Sequence, residues 1–331
     1  MSVPSPSACV AHANSNIALV KYWGKRDPVL NLPAAGSISM TLEGLQTRTS
    51  VLFDPALEQD IVELNHERLP DAKAARLSRF IDRVRAMSGL THRAHIKTVN
   101  DFPTAAGLAS SASGFAALAL AATRAAGLEL SKQELSVLAR IGSGSAARSV
   151  YGGFVEMHAG SKADGSDAFA VPLFEAAHWD LKCLVAVCAQ GPKDYGSTEA
   201  MEHTAHTSPF YQPWIDDVPQ ALDAARDALG ARDFEALAHT AEASCLRMHA
   251  SAMAAAPGIL YWKGATVDLI HSVRAWRKQG MAAFFTIDAG PHVKVFCEAS
   301  DAPKLKEKLT QHPGVLDVLE ASAGQGAQIV G

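Results

Sequence analysis

Residues 101–114 read Asp-Phe-Pro-Thr-Ala-Ala-Gly-Leu-Ala-Ser-Ser-Ala-Ser-Gly and run directly into an Ala/Leu-rich segment at 115–126. Small residues let backbone approach a ligand closely, and Ser110 or Ser111 is placed to cap the helix that follows. The start of such a helix turns unpaired N–H groups and its positive dipole end toward an anion. Two readings stay open on these residues alone: a phosphate cradle, or a small-residue turn capping a buried helix. The stretch is not a Walker loop, because Gly-Lys-Ser/Thr is missing, and it lacks the Gly-x-Gly-x-x-Gly of a dinucleotide turn. Residues 102–123 carry no charge, but the first half of that span is broken up by Pro, Thr, Gly and Ser, so its apolar part is too short for a bilayer.

The chain has 331 residues, 48% of them hydrophobic and 19% charged, which predicts a large core in two subdomains. A net charge of −4 offers no basic surface for nucleic acid or anionic lipid, so neither partner nor a membrane is expected. Any positive charge that matters is local, and a small anionic ligand fits best. Cys9, Cys183, Cys188, Cys245 and Cys297 are scattered, with no Cys-x-x-Cys pair, and read as buried thiols of a reducing compartment. Residues 1–7 carry neither a charged n-region nor an apolar h-region, and a cytoplasmic location is expected.

Taken in order, residues 8–23 read as two short extended pieces around Asn14-Ser15-Asn16, with Lys21, Lys25 and Arg26 clustered at or just beyond their end. That cluster is either a solvated loop or a phosphate grip. Strands follow at 37–42, 47–53 and 61–69, the last turning at Asn65-His66. Residues 71–87 have helical spacing ended by Ser88-Gly89, and 92–99 form a strand. A helix over 131–140 opens on a Ser131/Glu134 capping box, and a strand begins after Tyr151-Gly152-Gly153. The apolar run 181–188 predicts a buried central strand, and helices are expected at 197–206, 214–229, 233–248 and 266–279. Strands at 281–287 and 293–298 and a helix at 302–310 complete an α+β protein of two lobes, 1–190 and 191–331.

Four polar, glycine-rich junctions stand out: 21–25, 107–111, 142–148 and 288–290. Each joins regular elements, where backbone donors are free. Together they supply cations, hydroxyls, exposed amides and one carboxylate, a mixture suited to ATP-dependent chemistry at an alcohol. Each also has a plainer explanation. Asp288 could start a turn, Arg148 could pair with a surface acid, and Ser143 and Ser145 could cap the next turn. His203 and His206 lie one turn apart and read as a solvated helix face, so no metal ligands are assigned.

The blocks at 16–27, 102–112, 142–153 and 286–291 resemble the diphosphomevalonate decarboxylase family of the galactokinase, homoserine kinase, mevalonate kinase and phosphomevalonate kinase superfamily. They stand in the family's order. The Lys-Tyr-Trp-Gly-Lys and Gly-Ser-Gly-Ser blocks set this branch apart from the related kinases. The resemblance implies a two-lobed GHMP-kinase-like fold, ATP and Mg²⁺ as cofactors, a phosphorylated mevalonate as substrate, and a homodimer. It implies catalytic roles for Asp288, Lys21 and Arg148. Substrate contacts would come from Tyr22, Trp23, Gly24, Lys25, Arg76, Ser143, Gly144, Ser145, Ala146, Ala147, Arg148, Ser197 and Thr198, and the ATP loop from Gly107, Leu108, Ala109, Ser110 and Ser111. Departures from the family's pattern occur at Ala35-Gly36, Gly196 and His292.

The implied reaction converts mevalonate 5-diphosphate to isopentenyl diphosphate with release of ADP, phosphate and CO₂. Competing readings are a decarboxylase of the 5-monophosphate, a 3-hydroxyl kinase that stops before CO₂ loss, and a non-catalytic ATP sensor. Retention of Asp288, Lys21 and Arg148 together argues against the sensor, since binding alone needs no hydroxyl-orienting carboxylate.

Overall fold

The computed structural model describes residues 8–102, 110–191 and 195–330. Gly107, Leu108 and Ala109 of the expected ATP loop lie outside the described residues. Strand β1 (Cys9–Val20) leads through a short ribbon, β2 (Lys25–Asp27) and β3 (Leu32–Pro33), into the long β4 (Ser37–Asp54). β5 (Ile61–Leu64) and β6 (Glu67–Arg68) form the expected hairpin. Asn65 and His66 both take the positive φ that a two-residue turn of this kind requires. Helix α1 (Asp71–Ser88) ends at Gly89, whose φ is 73°, and β7 (Arg93–Asn100) returns to the sheet.

Two corrections to the sequence reading concern β1 and β4. Asn14-Ser15-Asn16 does not break β1. These buried polar side chains find partners across the fold: Asn14 Nδ2 donates to Gln325 O (2.9 Å), Asn16 Nδ2 to Ser149 Oγ (2.8 Å), and the Ser15 and Ser113 hydroxyls meet at 3.2 Å. The strand therefore stays extended, with an irregularity where Asn14 faces Gln46 and Ser15 faces Leu42. The skipped residues of β4 include Gly44, whose φ of 90° a side chain would resist. The expected strands 37–42 and 47–53 are thus one bent strand.

Helix α2 (Ser110–Ala125) lies against β1 and β4, where its run of buried alanines permits close approach. Helix α3 (Lys132–Gly142) carries the predicted capping box in full, and the single-turn α4 (Ala146–Ser149) follows. Next come β8 (Phe154–Met157), β9 (Ala170–Phe174) and β10 (Leu181–Val187), the last buried as expected. Beyond it stand α5 (Ser197–Thr207), α6 (Tyr211–Ala231), α7 (Phe234–Met253) and α8 (Gly264–Lys278). α6 starts earlier than expected and accommodates Pro219 in its interior. β11 (Ala283–Ile287), β12 (Val293–Glu298), α9 (Ala302–Thr310), β13 (Asp317–Ala323) and β14 (Gln328–Val330) close the chain.

The principal sheet runs β11-β12-β10-β13-β4-β7-β5-β6, with β1 pairing β4 and β14 and with β8 pairing β4 and β9. Most pairings are antiparallel, and β5 with β7 is parallel. β4 is the hinge of this arrangement, because its first part meets β13 and β8 while its second part meets β7. One core packs α6 and α7 against the inner face of β1, β10 and β12, another packs α1 to α3 on β4 and β7, and a third lies under α8 and α9. Among the described residues, no helix is long and apolar enough to cross a membrane.

Candidate active site

A cavity of about 480 Å³ opens where β1, α2, α4, α5, α7 and β11 converge. Of the residues singled out from sequence, it brings together Lys21, Tyr22, Trp23, Lys25, Arg76, Ser110, Ser111, Ser143, Gly144, Ser145, Arg148, Ser197, Thr198 and Asp288. Gly24, Ala146 and Ala147 are not among the lining residues: both alanines are fully buried in apolar clusters, and Gly24 lies beneath Tyr211.

Asp288 follows directly on β11 and Lys21 directly on β1. The Lys21 Nζ donates to Asp288 Oδ1 at 2.6 Å, with Lys21 buried and the Asp288 side chain 25% exposed. Helix α7 fixes both approaches. The Ser244 hydroxyl accepts from the Lys21 backbone N–H (3.0 Å), Cys245 Sγ accepts from Ile287 N–H (3.2 Å), and His249 Nε2 lies 3.2 Å from Ile287 O. A carbonyl only accepts, so His249 carries its proton on Nε2. Burial, assisted by the Lys21 charge, pulls the His249 pKa down to about 3, leaving it neutral. For Asp288, burial would raise the carboxyl pKa, but the positive charges of Lys21 and Lys294 outweigh it and hold the group well below the usual carboxylate range. Asp288 does start a tight turn, through its backbone carbonyl and Gly290 N–H (2.7 Å), while its carboxylate turns to the lysines.

Arg148 has no carboxylate partner among the described residues. Nε donates to Ser39 Oγ (2.9 Å) and Asn16 Oδ1 (3.2 Å), Nη1 to Ser37 Oγ (2.6 Å), and Nη2 to Asn16 Oδ1 (3.0 Å). These acceptors are neutral, and a guanidinium has five N–H groups, so one N–H remains on each terminal nitrogen. That is the fork a carboxylate takes up. Burial brings the Arg148 pKa down to about 10, still protonated at neutral pH.

The serines of the Gly-Ser-Gly-Ser block do not serve as caps through their hydroxyls. Ser143 Oγ instead lies 3.3 Å from Ser111 Oγ and 3.2 Å from Ser145 Oγ, forming a row along the cavity wall. Between them, Gly144 is required: a Cβ there would stand 2.2 Å from Tyr22 Oη. The Tyr22 hydroxyl and the Trp23 indole N–H are buried and have no hydrogen-bond partner among the described residues. Buried polar groups are seldom left so, and both belong to cavity-lining side chains. Burial pushes the Tyr22 hydroxyl pKa far up, which keeps it a donor.

Opposite, Lys25 Nζ is 3.4 Å from Thr198 Oγ1, and Arg76 donates to Gly142 O at 2.7 Å while lying over the Phe115 ring. The third cation of the Lys21/Lys25/Arg26 cluster turns elsewhere, since Arg26 donates to Ala159 O and Lys162 O. Among the described residues, four cationic side chains and one carboxylate line the cavity, a charge balance that suits a polyanion.

A smaller cavity of about 180 Å³ adjoins it, sharing Ser110 and Ser111 at the start of α2. Its other walls include Leu64, Leu69, Leu77, Ile96, Phe115 and Leu118, with Asn100 and Thr98 as polar edges. This is a mostly apolar slot with a polar rim, beside a helix N-terminus. The described residues hold no cluster of His, Cys, Asp or Glu that could bind a metal; His206 is exposed as expected, whereas His203 is half-buried with its Nε2 2.9 Å from Pro257 O.

Sequence reasoning assigned no site role to Asn16, Asn31, Met201, Met248 and Ala289, which also line the larger cavity. It also passed over Ser37 and Ser39, whose alternate spacing on one face of a buried strand was the available signal.

The chain matches the family model for the diphosphomevalonate decarboxylase-like N-terminal domain over residues 13–170 and that for the mevalonate 5-diphosphate decarboxylase C-terminal domain over residues 183–325. It is 37% identical to the diphosphomevalonate decarboxylase of Eremothecium gossypii over 308 residues, 88% of this chain and 77% of that protein. The crystal structure of mevalonate diphosphate decarboxylase from Staphylococcus aureus superposes with a TM-score of 0.92 at 39% identity, covering 98% of both chains. A structure described as MDDEF in complex with MVAPP, AMPPCP and magnesium gives a TM-score of 0.92 at 38% identity, covering 98% of this chain and 99% of that one.

Proposed function

This chain belongs to the diphosphomevalonate decarboxylase family, and on that premise we propose that it catalyses the ATP-dependent decarboxylation of mevalonate 5-diphosphate to isopentenyl diphosphate, with ADP, phosphate and CO₂ as the other products. The observation that carries this reading is an ionised carboxylate, Asp288, in a cavity whose other charged lining side chains, among the described residues, are cations. A polyanionic substrate is drawn in by the cations, and the carboxylate is left to act on a hydroxyl.

Each group then has a part. Asp288 Oδ1 accepts the hydrogen bond and then the proton of the substrate 3-hydroxyl as its oxygen takes the γ-phosphoryl group of ATP and ADP leaves. Lys21 stabilises charge on that group. Arg148 receives the substrate carboxylate on its two remaining N–H groups, so the carboxylate is aligned for departure. The C3–O bond then breaks with phosphate taking its electron pair, and the C1–C2 pair becomes the C2=C3 bond as CO₂ leaves. Tyr22, Trp23, Lys25 and the Ser143/Ser145 hydroxyls hold the 5-diphosphate, supported by Thr198 and Ser197.

For ATP, the start of α2 with Ser110 and Ser111 suits the phosphates, and the adjoining apolar slot suits the adenine ring. With hydroxyls but no acidic cluster among the described residues, Mg²⁺ would best be carried in on the ATP phosphates, whose charge it would neutralise. The further proposals are a division into lobes at 190/191, a homodimer, and a cytoplasmic location. The five cysteines, all free thiols, support the last.

The test compares mevalonate 5-diphosphate with the 5-monophosphate in an assay following ADP and CO₂. Losing one phosphate removes charge-assisted hydrogen bonds worth about 1.5–3 kcal/mol each, so kcat/KM for the monophosphate is expected to be lower by at least about tenfold. Equal kcat/KM values would remove the 5-diphosphate assignment.

A further inference from the structure

Lys294 is the second residue of β12, a strand between β10 and β11, and is fully buried. It faces Val185 on one side and Thr286 on the other, on the strand face that also presents Phe296. A lysine in such a place needs an anion. Its Nζ lies 3.4 Å from Asp288 Oδ2, and its other recorded contact is His292 O at 3.4 Å. Asp288 Oδ2 is itself buried and makes no hydrogen bond of good geometry among the described residues, although the Asp288 side chain as a whole is 25% exposed. The inner oxygen therefore faces Lys294, and the rest of the carboxylate, with Lys21 on Oδ1, faces the cavity.

We propose that Lys294 is a positioning residue for Asp288, holding Oδ2 from behind so that Oδ1 stays aimed into the cavity while Lys21 is free to follow charge onto the transferred phosphoryl group. This rests on the reading of Asp288 as the group that orients the substrate hydroxyl. Lysine is suited to the task because its ammonium is a compact charge on a long stem that reaches through an apolar layer. The other titratable groups facing Asp288 are Arg148 from α4, Cys183 from β10, and Cys245 and His249 from α7. Burial keeps both thiols protonated and the imidazole neutral, so among the described residues Lys21, Lys294 and the more distant Arg148 supply the positive charge.

The experiment first confirms ADP and CO₂ release by the unaltered protein, whose absence would retire the functional reading. It then measures kcat, both KM values, the acid limb of kcat/KM and melting temperature for Lys294→Met and Lys294→Arg. With Lys294→Met, kcat is expected to fall at least about tenfold with both KM values within about threefold. The acid limb should move to higher pH, because a carboxylate that loses a cation protonates more readily. Lys294→Arg, which restores the charge, should recover part of the loss and return the limb toward its original position. Should the Met variant not fold, Lys294→Gln serves as the neutral comparison. Unaltered kcat and acid limb in an active neutral variant would overturn the inference, as would a loss seen only as a lower melting temperature with wild-type kcat per folded molecule.

Discussion

Asp288→Asn lowers kcat by at least about 10³, because it removes both acceptance of the hydroxyl proton and stabilisation of the positive charge that develops as phosphate departs. Asn keeps the size and one acceptor oxygen, so the cavity stays formed. Lys21 and Lys294 lose their shared anion, and the extra positive charge in the cavity holds the substrate at least as tightly as before. Steady-state CO₂ release beside equilibrium binding of nucleotide and substrate checks this. Turnover within about tenfold of the unaltered protein would remove Asp288 from the centre of the chemistry.

The same carboxylate has a pH signature. Its native pKa lies below the unfolded value of about 3.9, so its ionised form contributes stability above that pH, and the contribution is lost as pH falls through the native value. Any fall in activity of the unaltered protein between about pH 7 and 5 therefore belongs to other groups, and the acid limb that Lys294→Met moves is the one at lower pH, where Asp288 itself takes up a proton.

Arg148→Lys is the second large effect. The planar fork holds Asn16, Ser37 and Ser39 and keeps two N–H groups for the substrate, whereas an ammonium offers three donors from one point. Lysine cannot satisfy three buried acceptors and a carboxylate together. Turnover is expected to fall by roughly 10² or more, as for loss of one preorganised donor to a reacting anion. Stability should fall by about 1–3 kcal/mol, the cost of a buried acceptor left unpaired. Nucleotide affinity should hold, since Arg148 is not among the residues of the adjoining slot. Denaturant melts, kinetics and nucleotide binding separate the three. Lost nucleotide binding with intact substrate affinity would contradict the assignment.

Much of the site was legible because its parts are local. Lys21, Tyr22, Trp23 and Lys25 stand in one turn after a strand, and Ser143, Gly144, Ser145 and Arg148 in another, so each block carries its own signal. What was not legible depends on distant pairing. Ser37 and Ser39 gain a role only because Arg148 reaches them across the fold. Lys294 is one lysine in an apolar strand until β11 places Asp288 beside it. The polar trio Asn14-Ser15-Asn16 looks like a break in sequence because its hydrogen-bond partners come from α2, from α4 and from Gln325.

For the fold, the Ser131/Glu134 box, the Asn65-His66 turn and the apolar run of β10 were read correctly from local chemistry. Strands β9, β13 and β14 escaped notice. β13 is mostly half-buried or exposed and has little apolar alternation, and it is held by β10 and β4 rather than by its own composition.

The most direct test of the account is a single-turnover experiment with the unaltered protein, ATP, Mg²⁺ and mevalonate 5-diphosphate, in which ADP, phosphate and CO₂ are quantified from the same quenched samples. Equal amounts of all three are expected, with isopentenyl diphosphate as the organic product. ADP formed without CO₂ would make the protein a kinase that stops at the phosphorylated alcohol, and no ADP at all would contradict the account outright.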